Sequence, residues 1–219
     1  MGLNENITID FAGGYFEDIV LYLMRISQNL GYKTMIVDNT INHRFYPLVS
    51  HINGIDPIDS VIDHRGVGYT YGNGLNKEKS DELGSCDCIY KLYDIRGYVP
   101  DGGKCIFITD ESKRFLDILE SFKNRQESML IIRDYTGVVQ NKLDMIAENG
   151  GFGSVYALPI SLKDRKAAVR SEHRDICRFS SVSKEMKALL LKLQTYIFPD
   201  KTEKELKKAF RSASKGVVA

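Results

Sequence analysis

Apolar and polar positions fall into short blocks along the chain, and the first block is the most regular. Residues 7–10 form an apolar run that leads into Phe11-Ala12-Gly13-Gly14. Beyond it Ile19, Leu23, Ile26 and Leu30 recur at three- and four-residue steps, the spacing that gathers apolar groups on one helix face. Gly31 is suited to a helix C-cap, and residues 32–37 predict a second strand ending at Asp38. Strand, glycine turn, helix, glycine and strand together predict a βαβ unit with a right-handed crossover.

The pattern then loosens. Residues 39–53 are polar and irregular, and 58–63, opened by Pro57, fit a helical turn or a short strand. Residues 64–75 hold four glycines with Tyr69 and Tyr71 between apolar positions, which predicts a loop or short hairpin. Strands are predicted at 88–93, 104–109, 129–133 and 155–158, the last closed by Pro159. Helices are predicted from Ser112, with Phe115, Ile118, Leu119 and Phe122 on the core face, at 142–148, and around 184–197. Short apolar strands separated by helices imply an α/β fold, a doubly wound, mostly parallel sheet with helices on both faces. Residues 1–199 are expected to form a single domain. Residues 200–219 make a basic tail in which Leu206 and Phe210, among Lys204, Lys207, Lys208 and Arg211, predict a short amphipathic helix.

Charge narrows the classes of partner. With 30 Lys and Arg against 29 Asp and Glu, the formal net charge is +1, so there is no overall field to draw in nucleic acid. No apolar run approaches the roughly 20 residues needed to span a bilayer, and no basic segment leads into an apolar stretch at the start. A cytoplasmic protein is expected. Cys86, Cys88, Cys105 and Cys177 have no neighbouring His to complete a zinc set, and the four histidines show no paired-ligand spacing, so no metal is expected. Cys88 and Cys105 read as buried thiols. Ser154 follows Gly151-Phe152-Gly153 but lacks the context of a nucleophile elbow.

In a doubly wound sheet, ligands bind beyond the carboxyl ends of the strands. Gly13-Gly14, Asp38, Asp94 with Arg96 beside it, and the loop after Thr109 all fall there. A phosphate-binding loop needs glycines so that backbone amides can converge on the anion at a helix N-terminus. It is completed by Lys and by Ser or Thr, which reach the β- and γ-phosphates and magnesium. Here Tyr15, Phe16, Glu17 and Asp18 follow the glycines. Two carboxylates suit the helix dipole but repel a triphosphate. Tyr15, Phe16, Tyr69 and Tyr71 are candidates for an interaction surface.

Residues 9–39, IDFAGGYFEDIVLYLMRISQNLGYKTMIVDN, resemble the first unit of the MinD/ParA class of deviant-Walker P-loop ATPases, nearest to the CpaE/TadZ group that localises pilus assembly. Gly13 and Gly14 match the paired glycines, Gly31-Tyr32-Lys33 and Ile36-Val37-Asp38 the segments that follow. Phe11 or Ala12 stands near the family's signature lysine, Glu17 at its second lysine, and Asp18 at the magnesium-binding hydroxyl. Residues 86–97 and 102–122 resemble the switch strand and the strand–helix after it. The resemblance implies a P-loop NTPase-like fold and a non-catalytic positioning or scaffold protein of a surface-appendage or secretion system. Its partners would be other proteins, with a homodimer and recruitment to the inner membrane face through a partner as further expectations. ATP is disfavoured as a cofactor, because the catalytic motif is the part from which the sequence departs. Two alternatives stay open: a nucleotide-binding switch with weak or no hydrolysis, and a transferase or dinucleotide-dependent enzyme using the same crevice.

Overall fold

β1 (Ile7–Gly13) runs through the middle of an eight-stranded sheet in a computed structural model that describes residues 6–48, 60–72, 77–96, 98, 103–119, 127–173 and 177–216. The other strands are β2 (Thr34–Asp38), β3 (Ile62–Asp63), β4 (Val67–Tyr71), β5 (Cys88–Tyr93), β6 (Lys104–Thr109), β7 (Ser128–Tyr135) and β8 (Ser154–Pro159). Their order is β3-β4-β2-β5-β1-β6-β7-β8. Every pairing is parallel except the short β3–β4 contact. This is the expected doubly wound, mostly parallel α/β fold with helices on both faces.

The helices are α1 (Glu17–Asn29), α2 (Lys77–Gly84), α3 (Lys113–Leu119), α4 (Gln140–Gly150), α5 (Leu162–His173), α6 (Lys184–Ile197) and α7 (Glu203–Ser214). Period-two alternation in the strands sends Phe11, Ile36, Tyr90, Ile106 and Ile131 to one face, where α1, α6 and α7 cover them. The opposite set, including Ala12, Phe107, Leu130 and Ile132, meets α3 and α4. Farther along that face Met35, Val37 and Ile89 pack near α2. The chain passes from β1 toward β2 on one side, then crosses from β5 to β6 and continues outward through β7 and β8. The switch in direction lies at the carboxyl ends of β1 and β6.

The first unit follows the sequence closely. Ile19, Leu23 and Ile26 are buried, and Gly31 takes a left-handed φ of 87° just after α1. The 64–75 segment contributes more than a loop. Residues 67–71 form a full parallel strand against β2, and Ile62↔Tyr69 pairing makes the short hairpin around Arg65 and Gly66. Phe122 lies outside the described residues. α5 occupies the basic stretch between β8 and α6, where no apolar stripe announces it.

α7 lies along α1 and α6 with Leu206, Ala209, Phe210 and Ala213 buried. Phe179 links the two ends of the chain, stacking on Tyr22 of α1 at 4.5 Å and meeting Phe210 edge-on at 5.6 Å. Thr202 begins α7 with a reciprocal cap: its hydroxyl accepts from the Glu205 amide, and the Glu205 carboxylate accepts from the Thr202 amide at 2.8 Å. Thr202→Ala is expected to lower stability by about 1 kcal/mol in urea unfolding, with an unchanged denaturant slope.

All four cysteines are free and buried. Burial pushes the Cys88 and Cys177 thiols up to about 12, so neither carries appreciable thiolate at neutral pH. A chromogenic disulfide reagent should therefore react with the native protein no faster than global or local opening allows. Immediate stoichiometric reaction of these two thiols would contradict the burial.

Candidate functional site

The site forms where β1 hands over to α1. Gly13 has φ 140°, and a β-carbon there would lie 1.8 Å from the Ile108 carbonyl oxygen of β6. Its glycine requirement comes from strand–strand approach. The Gly14 amide donates to that same carbonyl at 2.9 Å, so it is spent inside the sheet and does not face an anion. Tyr15 adopts a left-handed φ of 58° and points outward, 56% exposed. Phe16 is fully buried at the N-cap of α1 and provides no capping oxygen.

Two arginines from distant parts of the chain hold the acids that follow. Arg44, from the loop after β2, meets Glu17 at 2.5 Å, donates to the Gly13 carbonyl at 3.1 Å and approaches Asp94 at 3.5 Å. Its guanidinium also lies 4.9 Å from the Phe16 ring centroid. Arg133, on β7, grips Asp18 with both nitrogens, at 2.5 and 3.0 Å, and donates to the Tyr15 carbonyl. Asp18 is only 8% exposed. Burial alone would favour loss of the Arg133 charge, yet Asp18 outweighs it and holds that guanidinium above its ordinary value. Both acids at the start of α1 are thus paired, and the cations beside them are already engaged.

Next to this clamp is a cavity of about 460 Å³ lined by Tyr15, Glu17, Asp18, Asp110, Arg133, Asp134, Arg165 and Ala168. It lies at the switch point, where an α/β sheet offers its crevice. Asp134, with a left-handed φ of 52° at the irregularity in the β7–β8 pairing, binds Arg165 of α5 at 2.5 Å. Of the four carboxylates in the lining, Glu17, Asp18 and Asp134 are paired with Arg44, Arg133 and Arg165, and Asp110 accepts from the Ser112 amide at 2.8 Å.

Asp38 has a separate task. It is fully buried, and its two oxygens accept from the Thr40 amide (3.0 Å), the Thr40 hydroxyl (2.6 Å), the Phe45 amide (3.0 Å) and the Tyr69 hydroxyl (3.0 Å). Burial first, and then the Asp38 charge, push Tyr69 ionisation far above its ordinary range, so the phenol stays a donor. Asp94 caps the same loop by accepting from the Ile41 amide at 2.8 Å. Arg96 is exposed beyond it.

The sequence-predicted residues therefore separate into distinct groups. Gly13, Gly14, Glu17, Asp18 and Asp94 converge, joined by Arg44. Asp38 is an anchor for the 39–48 loop. Among the aromatic candidates for a surface, only Tyr15 is exposed. Phe16 and Tyr69 are buried, and Tyr71 is half-buried, stacked on His43 at 3.6 Å. They face inward because the loop folds over the carboxyl ends of β2 and β4. Arg44 and Arg133 carry no spacing signal of their own, since their partners are 27 and 115 residues away in number. Among the described residues no group of His, Cys, Asp and Glu is arranged to hold a metal ion, and no helix is long and apolar enough to cross a membrane.

No family model matches the chain, and no curated protein matches it. Among solved structures, the MinC:MinD cell division protein complex of Aquifex aeolicus is similar with a TM-score of 0.47 at 11% identity, covering 77% of this chain and 86% of that one. The MinD cell division protein of Aquifex aeolicus is similar with a TM-score of 0.44 at 11% identity, covering 93% and 94%.

Proposed function

We propose that the chain is a non-catalytic scaffold or positioning protein whose nucleotide loop has become a structural joint. The observation that carries this reading is the closed N-terminus of α1: Glu17 and Asp18 occupy it and are held by Arg44 and Arg133. Phosphoryl transfer needs a cation free to follow charge that develops on the phosphoryl oxygens. Here both guanidiniums beside the loop are bound to carboxylates, and the Gly14 amide is bound to β6. An entering triphosphate would have to displace Arg133 from a buried partner and then sit beside that partner's charge.

The finer role follows from the sequence resemblance to the pilus-assembly localisation group. In this reading the protein is cytoplasmic, works through protein contacts, and is brought to the inner membrane face by a partner. Calorimetric titration with magnesium and ATP or ADP, with an ATPase assay alongside, tests the core of the proposal. The expected result is no saturable binding tighter than about 1 mM, equivalent to roughly −4 kcal/mol. Micromolar saturable binding would overturn it. So would turnover of about one per minute or faster that disappears in Arg44→Ala or Arg133→Ala.

A further inference from the structure

The sheet ends on β8, and alternation along the strands fixes which of its backbone groups face outward. The Ile7 amide donates to Asp87 beside β5, and the Gly14 amide donates to Ile108 of β6. Odd residues of β1 therefore bond to β5 and even ones to β6. Carried across the sheet, this phase pairs the odd residues of β6 with the odd residues of β7. Ser128, Leu130 and Ile132 then face β8, in keeping with the Ser128 carbonyl, which accepts from the Gly153 amide at 2.9 Å. With Met129 opposite Ser154, the residues of β8 that bond to β7 are Ser154, Tyr156 and Leu158. Val155 and Ala157 point their amides and carbonyls away from the sheet. Among the described residues no strand or loop meets those groups.

Edges of this kind are usually blunted by charge, by proline or by shortness. The far edge follows that rule, since β3 is two residues long, contains Asp63 and turns at Arg65. β8 does not. Between Glu148 and Lys163 no side chain carries a charge. Pro159 has the outward phase but stands at the last position of the strand, so it leaves Val155 and Ala157 open. Ala157 is exposed, and Ile160 and Leu162, also exposed, continue the apolar surface directly past the strand.

We propose that β8 pairs antiparallel with β8 of a second copy of this chain, about a two-fold axis at Tyr156. Val155 of each copy then lies opposite Ala157 of the other, and no outward amide or carbonyl of either residue is left over. An axis at Ala157 would set Val155 against Pro159, which has no amide to give. An axis at Val155 would set Ala157 against Gly153, whose amide is already bound to Ser128. On one face the small Ala157 makes room for Val155 of the second copy. On the other, two Tyr156 rings meet across the axis, with Cα atoms about 4.5 Å apart. Lys192 lies 4.5 Å from the Tyr156 ring centroid, so two ammonium groups also come near each other. Salt screens that repulsion, so the pairing tightens as salt rises. The inference goes beyond the proposed function and does not depend on it, because β8 is three strands away from β1 and its glycine turn.

Sedimentation velocity of the full chain, from about 1 to about 100 µM, tests the pairing. A monomer–dimer equilibrium is expected, with a Kd at least about twofold lower in 0.5 M than in 0.05 M salt. Ala157→Lys places a charge on the open edge and should raise the Kd at least about tenfold. Ile41→Lys, at an exposed apolar position after β2 and five strands from β8, should leave it unaltered. Unchanged circular-dichroism melting checks the folding of both variants. Disulfide linking reads the register, since the native thiols are buried. Tyr156→Cys should link into a dimer under mild oxidation, whereas Ser154→Cys, about 14 Å from its counterpart in this register, should not. An equal loss in Ile41→Lys, failure of Tyr156→Cys to link, or linking of Ser154→Cys would overturn the proposal. A monomer throughout would overturn it too, and would leave the edge to a strand from another protein.

Discussion

Arg133→Ala is expected to lower the free energy of unfolding by about 3–5 kcal/mol, the largest effect of any single substitution in the loop region. The reason is the partner left behind. Asp18 is buried, and with Arg133 removed its carboxylate has only the Ile19 amide, at 2.8 Å, to replace a two-pronged guanidinium. The Tyr15 carbonyl loses its donor as well. Removing both charges tells the pair's net worth from the cost of breaking it. The double variant Asp18→Asn with Arg133→Met should recover at least half of the loss, because no buried ion then remains. Urea unfolding of the parent, both single variants and the double variant closes the cycle. A single-variant loss under about 1 kcal/mol would mean that the pair is solvated and that the loop is not clamped.

Asp38→Ala is expected to cost about 3–4 kcal/mol and to loosen the whole 39–48 loop. Four donors converge on this carboxylate, and two of them are backbone amides with no room to turn toward water. Phe45, buried without exposure, is held over the sheet by one of those amides. Because Arg44 belongs to the same loop, its hold on Glu17 should weaken too. Amide hydrogen exchange offers a direct reading: protection at Thr40 and Phe45 should fall in Asp38→Ala and stay largely intact in Asp94→Ala. Equal losses in both variants would place the anchor elsewhere.

How much of this was legible in the sequence depends on distance along the chain. The β1–α1–β2 unit was readable because one periodic stripe, one left-handed glycine and two apolar runs lie within residues 7–38. β4 was not, because a run with Gly68 and two tyrosines looks like a turn. In the sheet Gly68 has little side-chain room, since a β-carbon there would lie 3.0 Å from the Met35 side chain. α5 has little apolar face to betray it: its buried positions include Asp164, Ala167 and Ser171, and Asp164 is consumed as an acceptor for the Ser183 amide at 2.6 Å. At the site, the acids after the glycines were plain from composition alone. Their two arginines were not, since neither Arg44 nor Arg133 is close to them in sequence, and of the basic residues of α5 the crevice lining takes only Arg165.

The contact between α1 and α7 has a consequence for how the chain reaches this state. α1 leaves the ribosome before every other described helix, and the helix that covers it is the last one described. At about 5–20 residues per second, many seconds separate the two. During that interval the surface around Tyr22 that later stacks on Phe179 stays uncovered, together with the groove that receives Phe210. The sheet's central strand and its first helix are thus made early but sealed late. Nascent chains stalled just short of α7 would present a continuous sticky groove to holdase chaperones, and release of α7 from the exit tunnel becomes the event that ends their hold.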